Sequence, residues 1–258
     1  MTKCIRPEKS NWRDNSDEDT RQYCYTCLRP KRVCLCHSIH VENNPCTIGI
    51  LQHPNEKGKT FNTAKIAELS LKNSFLYTGV NFDDDEIFNA KLSEFNIENV
   101  GVLYPSESAI DLSLAPKELE CLFVVDGTWP EAKKILNKTT CFNSIQHYAF
   151  TPKAISNYSL RKEPDVNYVC SLEAIVESLR ILEKDRNRYG GLLDTLSEMI
   201  RIQESFRYSN SRHKSSSEYT KIKRRIKEIN RLIYSSNIED VDTKPFLKEL
   251  QLLKSKID

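Results

Sequence analysis

The chain has 258 residues, of which 39% are hydrophobic and 29% charged, with a formal net charge of +2. Its length suits one sizeable domain with appendages or two small ones, and its composition excludes a fibrous or wholly disordered chain. No apolar run approaches the roughly 20 residues that a helix needs to cross a bilayer, and the N-terminus shows no apolar leader. No membrane association and a cytoplasmic location are therefore expected. Nine cysteines, an odd number in a long chain without a leader, favour reduced thiols and metal ligation over a disulfide framework.

Residues 1–21 are polar and mixed in charge, and are expected to be disordered or loosely packed. Residues 22–40 contain CYTCLRPKRVCLC, which spaces Cys24, Cys27, Cys34 and Cys36 as C-x2-C-x6-C-x-C. Four thiolates so close suit one tetrahedral zinc ion, although an iron–sulfur cluster also takes four cysteines. Four protein ligands leave no open position, so the metal is structural. It contributes on the order of 10 kcal/mol to ordering a segment with few apolar residues to bury. The intervening LRPKRV carries Arg29, Lys31 and Arg32, cations that a metal would hold rigid for contact with RNA phosphates.

From Thr47 onward apolar runs alternate with helical periodicity over a domain spanning 41–208. TIGILQ, VGVLYPS, CLFVVD and HYAF read as strands. NTAKIAELSLKN, PEAKKIL, SLEAIVESLRILEK and LLDTLSEMIRIQESF read as helices. Such alternation predicts an α/β fold with a mostly parallel sheet and helices on both faces. Cys121 and Cys170 fall where core residues belong. Residues 209–258 form a basic helical tail, in which Ile222, Ile226, Ile229 and Ile233 recur at helical spacing. Residues 212–231 hold eight Lys or Arg, among them Lys223, Arg224 and Arg225, against two Glu, a charge excess that attracts phosphate backbones or is a solvated face. The isoleucine stripe packs on the domain or on a second subunit, and both a monomer and a homodimer are compatible with it.

VVDGTW, residues 124–129, places an acid, a glycine, a hydroxyl and an indole where a strand gives way to a helix. Thr-Trp-Pro-Glu fits a capping box, with Pro130 in the first turn where its missing N–H costs nothing. The carboxyl end of a strand meeting a helix N-terminus is also where α/β sheets bind ligands. Asp126 ends a buried run, so its carboxylate needs hydrogen bonds or has a catalytic use as a general base. Trp129 offers a flat surface for a base or packs into the core.

DGTW followed by EAKK resembles the signature of the DTW-domain family, the tRNA-uridine aminocarboxypropyltransferases. The four-cysteine cluster, LQHPNEKGKTFNTAKIAEL, LYPSE and YSLRKEPDVNYVCSLEAIVESL match the family in the same order, covering roughly residues 22–206. Cys170 departs from the residue the family often has there, Ser or Thr, which weakens a helix cap at that position. The resemblance implies a SPOUT-like knotted domain. It also implies transfer of the 3-amino-3-carboxypropyl group of S-adenosylmethionine (SAM) to N3 of a tRNA uridine, leaving methylthioadenosine.

On that reading Asp126 takes the N3 proton. Gly127, Thr128, Trp129, Ser171 and Glu173 surround the cofactor. Arg161 clamps its carboxylate or an RNA phosphate, and Glu163 meets its ammonium. Ser106 contacts the cofactor or shapes a turn, and His53 contacts RNA or is structural; Lys133 faces the RNA. Two other functions remain open: a SAM-dependent methyltransferase of related fold, and a non-catalytic zinc-containing RNA-binding factor.

Overall fold

The computed structural model describes residues 22–59, 61–152, 169–210, 225–226, 228–229 and 244–254. The strands are β1 (Thr47–Gln52), β2 (Ser74–Thr78), β3 (Val100–Leu103), β4 (Ile110–Asp111), β5 (Cys121–Asp126) and β6 (Gln146–Ala149). They form one sheet in the order β2-β1-β5-β3-β6-β4, with every pairing parallel. Helices α1 (Pro54–Lys57) and α2 (Thr63–Ser70) lead to β2, α3 (Glu86–Leu92) precedes β3, and α4 (Trp129–Lys138) joins β5 to β6. Helices α5 (Ser171–Glu183), α6 (Gly190–Asn210) and α7 (Lys244–Lys254) complete the chain.

The near-continuous apolar runs of β1 and β5 mark strands covered on both faces. Ile48, Ile50, Leu51, Leu122 and Phe123 are fully buried. Gly49 is glycine for a steric reason: a Cβ there would lie 2.6 Å from the Phe123 ring and 2.8 Å from that of Phe75. One face packs aliphatic residues of α2, α5 and α6, such as Ile66, Ile175 and Leu196, on Ile48, Ile50, Leu122 and Val124. The other face is aromatic, with Phe88 of α3 and Phe142 against Phe123 at ring separations of 5.6 and 5.4 Å. Each large side chain so buried contributes roughly 1.5–3 kcal/mol. The expected α/β sheet with helices on both faces is thus observed.

Several boundaries differ from the sequence reading. β3 stops at Leu103, not residue 106, because Pro105 has no N–H to continue the ladder; Tyr104 makes the last bond, its N–H to Tyr148 O at 2.9 Å. α2 ends at Ser70 because Leu71 is extended and bridges to Glu42. Two strands, β2 and β4, and the helices α1 and α3 were not anticipated. The cap at Cys170 is supported despite the missing hydroxyl, since the buried Glu173 accepts from Cys170 N at 3.0 Å. The knot implied by the resemblance is not traced, since residues 153–168, between β6 and α5, lie outside those described. Most of the first tail helix, 219–234, also lies outside them, while α7 occupies most of the second.

Candidate active site

From β1 the chain crosses through α2 on one face of the sheet, and from β5 it crosses through α4 on the other. The helix starts diverge there and a crevice opens at the carboxyl edge of the strands, the usual ligand position in such sheets. A cavity of about 600 Å³ fills it, bounded by Leu103, Val124 and Tyr148 from the strands and by Asn62, Thr128 and Ser171 from the helix starts. Tyr104, Trp129 and Phe150 give it aromatic walls. That volume is in the range of small-molecule sites.

Asp126 lines this cavity while remaining only 7% exposed. Its register partner across the β1–β5 pairing is Gln52, whose Nε2 donates to Asp126 Oδ2 at 2.8 Å. Ser171, the first residue of α5, donates its hydroxyl to Oδ1 at 2.5 Å. Both oxygens accept, the arrangement an ionised carboxylate takes. Gln52 Nε2 also donates to Asn62 Oδ1 at 3.1 Å, and that oxygen caps α2 by accepting from Lys65 N at 2.9 Å.

The following turn is built around a second acid. Glu131 Oε2 accepts from the N–H and the hydroxyl of Thr128, both at 2.8 Å, and Oε1 accepts from Asn55 Nδ2 at 2.8 Å. Burial raises the pKa of Glu131. The Thr128 N–H, the Asn55 amide, the Thr128 hydroxyl and nearby His53 outweigh it and lower the value to about 2. The capping box read from the sequence is therefore present. Gly127 leaves little room beneath the turn, for a Cβ would stand 3.1 Å from Glu131 Cβ. Trp129 is 39% exposed, with its ring 5.9 Å from that of Tyr104 at the cavity wall.

Gly127, Thr128, Trp129 and Ser171 border the cavity with Asp126, whereas Ser106 and Glu173 do not. Ser106 hydrogen-bonds His147 Nδ1 at 2.9 Å in a smaller cleft beside Lys133. Glu173 serves the α5 start. Arg161 and Glu163 lie outside the described residues, as do Lys223 and Arg224. His53 is 6% exposed and caps α1, its Nδ1 accepting from Asn55 N at 3.3 Å. Lys31, Arg32 and Lys133 are exposed. Arg225 is engaged by Glu249 at 2.9 Å and Glu228 at 3.0 Å, which offsets part of the tail's basic charge. Arg29 corrects the expectation of a surface cation: it is 5% exposed and its guanidinium is turned inward.

Sequence reasoning missed Gln52 and Asn62, and also Glu56, which borders the cavity at 2% exposure with Lys59 Nζ 2.6 Å away. Polar residues ending a strand or opening a helix were the available signal.

The four sulfurs of Cys24, Cys27, Cys34 and Cys36 all lie within 4.8 Å of one another. The Cys24–Cys36 and Cys27–Cys34 separations of 3.6 and 3.7 Å match the edge of about 3.8 Å expected for a tetrahedron with ~2.3 Å zinc–sulfur bonds. Burial opposes ionisation of Cys24, yet the backbone N–H groups of Cys27 and Thr26 and the thiols of Cys36 and Cys34 bring its pKa down to about 6. Leu35, 1% exposed, ties this knuckle to the aliphatic core.

These features define an α/β protein with a cavity of ligand size at the carboxyl edge of a parallel sheet and a four-cysteine cluster whose spacing suits a metal ion. The DTW domain profile matches residues 21–204, and the chain belongs to that family. It is similar to tRNA-uridine aminocarboxypropyltransferase 2 of Macaca fascicularis, 27% identical over 71% of this chain and 64% of the relative. The protein of the same name in Drosophila melanogaster is 28% identical over 63% of this chain and 67% of its own. tRNA-uridine aminocarboxypropyltransferase A of Arabidopsis thaliana is 26% identical over 80% of this chain and 90% of its own. The alignments thus span about two thirds of the animal relatives. No solved structure matches the chain.

Proposed function

We propose that the protein transfers the 3-amino-3-carboxypropyl group of SAM to N3 of a uridine in tRNA. The names of its relatives support this reading, and the observation that carries it is the buried Asp126 at the wall of a cavity of about 600 Å³. The donor supplies a carbon activated by its sulfonium. As the N3–carbon bond forms, the carbon–sulfur bond breaks with its electron pair passing to sulfur, and the N3 proton passes to Asp126. Gln52 and Ser171 hold the two carboxylate oxygens in place for that transfer. General-base assistance of this kind contributes typically ~10²–10⁴ in rate.

The rest of the catalysis on this reading is alignment, which supplies ~7–11 kcal/mol when two reactants are held in line. Tyr104, Trp129 and Phe150 give the cavity flat apolar walls for an adenine or a uracil ring. Arg161 and Glu163, at positions matching the family's motif, take the amino acid end of the donor. The knuckle holds structural zinc through its four cysteines, and exposed Lys31, Arg32 and Lys133 contact RNA phosphate.

The test uses SAM labelled separately in its methyl group and in its methionine chain, incubated with the protein and bulk tRNA. Label from the chain should enter RNA and co-migrate with modified uridine in nucleoside mass spectrometry. Entry of the methyl label would identify a methyltransferase instead, and entry of neither would leave a non-catalytic RNA-binding factor.

A further inference from the structure

Arg29 stands inside the knuckle, and its backbone carbonyl accepts from Cys24 N at 2.7 Å. Its side chain leaves the knuckle for the core. Nη2 is 3.4 Å from Asn62 O and 3.0 Å from Met199 Sδ of α6. Burying a guanidinium costs free energy unless its N–H groups are taken up, so an arginine brought in from a surface loop marks a joint between elements.

The residue it reaches belongs to the candidate active site. Asn62 caps α2, lines the cavity, and accepts from Gln52 Nε2, the same nitrogen that donates to Asp126. The two acceptors lie 3.1 and 2.8 Å from Gln52 Nε2, so both amide hydrogens are committed and the amide has one orientation. A continuous path therefore runs from the ligand Cys24 through Arg29, Asn62 and Gln52 to Asp126. A displacement of Arg29 reaches the carboxylate through Asn62, because Gln52 cannot keep both bonds if one acceptor shifts.

We propose that Arg29 is a positioning residue that couples metal occupancy of the knuckle to the geometry of Asp126 and its cavity. The donor part of this proposal rests on the function proposed above; the structural part does not. Linkage makes the coupling reciprocal: a ligand in the cavity tightens the metal, and the metal tightens the ligand, by roughly five- to tenfold if the path carries a coupling at the low end of the usual range.

The experiment uses the full-length metal-loaded protein and the variants Arg29→Met and Gln52→Leu. Arg29→Met keeps an apolar stem beside Met199, and Gln52→Leu cuts the path without touching the knuckle. Both should retain full metal content and wild-type tRNA affinity while binding SAM about five- to tenfold more weakly by calorimetry. SAM should slow extraction of metal by a chelator in the wild type and leave it unaffected in both variants. Weakened tRNA affinity with unchanged SAM affinity in Arg29→Met would overturn the proposal and return Arg29 to an RNA contact.

A second arm needs no donor. In a Trp12→Phe background, leaving Trp129 as the single indole, metal removal should shift the Trp129 emission. In Arg29→Met the emission should already be shifted, with metal removal adding nothing. Wild-type protein that binds no SAM yet shows this response would sink the donor reading and keep the relay. Unmoved Trp129 emission would sink the relay whatever the protein binds.

Discussion

The knuckle and the carboxyl edge of the sheet sit at two ends of one polar path, yet they are ordered by different forces. Over residues 22–36 the buried non-cysteine apolar side chains are Val33 and Leu35, while Tyr25 is 87% and Leu28 58% exposed. So little apolar burial leaves the order of that segment to the metal–sulfur bonds proposed above. The edge around Asp126 rests instead on Ile50, Leu51, Leu122, Phe123 and Val124, all 3% exposed or less. A carboxylate kept at 7% exposure depends on that rigid floor, and Arg29 adds the knuckle's rigidity from the side.

The largest effect expected is catalytic. Asp126→Asn keeps the shape, with its carbonyl oxygen accepting from Gln52 Nε2 and its amide donating to the Ser171 hydroxyl, but it removes the base. Transfer to uridine should fall by ~10²–10⁴ in single-turnover assays, with the melting temperature little changed. Undiminished transfer by a folded variant would show that the edge only binds.

Next come two substitutions that separate the regions. Phe123→Ala removes the ring at the centre of the aromatic face and should cost about 3–5 kcal/mol of global stability with metal content retained. Cys27→Ser should do the reverse. It should release the metal and deprotect amides 24–36 in hydrogen exchange, while β1 and β5 stay protected. Coincident loss of protection in both regions of Cys27→Ser would show that the sheet depends on the metal for its own order.

What the sequence made legible follows the same division. The knuckle was readable because C-x2-C-x6-C-x-C is a local pattern, and β1 and β5 because both faces are buried and the runs are unbroken. The capping box at Thr128–Glu131 was local too. β2 is an edge strand whose side chains are half-buried or exposed, and α3 buries one residue, Phe88, so neither carries a clear period. Gln52 owes its role to a partner 74 positions away, and Arg29 to Met199, 170 positions away. The polar end of β1 marks Gln52 as unusual but not its partner across the sheet, and a cation in a polar loop reads as a surface charge. Ser106 shows how local this is: the strand end before it, Leu103 to Pro105, lines the cavity, while Ser106 itself sits with His147 in the smaller cleft.

A smaller effect is expected from Glu131, which holds the turn after Asp126 in shape. Its pKa lies below the ordinary 4.5, at about 2 in the folded protein. The charge it contributes to the cap is therefore fully stabilising above about pH 4.5 and is lost as pH falls through about 2. Glu131→Gln should cost ~1 kcal/mol at pH 7 and nearly nothing at pH 2 by denaturant titration, a difference that tests the charge and not the shape. An equal cost at both pH values would assign the loss to packing against Gly127.

The smallest effect lies in the knuckle. Leu28, directly after Cys27, has φ of 56° and is 58% exposed, so it bears left-handed strain without apolar burial to offset it. The turn is closed by Leu28 N donating to Cys24 O at 2.8 Å, which fixes that conformation. Leu28→Gly relieves a cost of roughly 1 kcal/mol in the folded turn and returns part of it through greater freedom of the unfolded chain. A net gain of about 0.5 kcal/mol appears as roughly twofold tighter metal in a chelator competition, because an order of magnitude corresponds to about 1.4 kcal/mol. Transfer activity should stay at the wild-type level, since the Leu28 side chain is exposed and does not line the cavity, and Leu28→Gly keeps the turn's N–H to Cys24 O. Weaker metal binding would instead mean that the exposed leucine contributes packing to the loaded knuckle that exceeds the strain it bears.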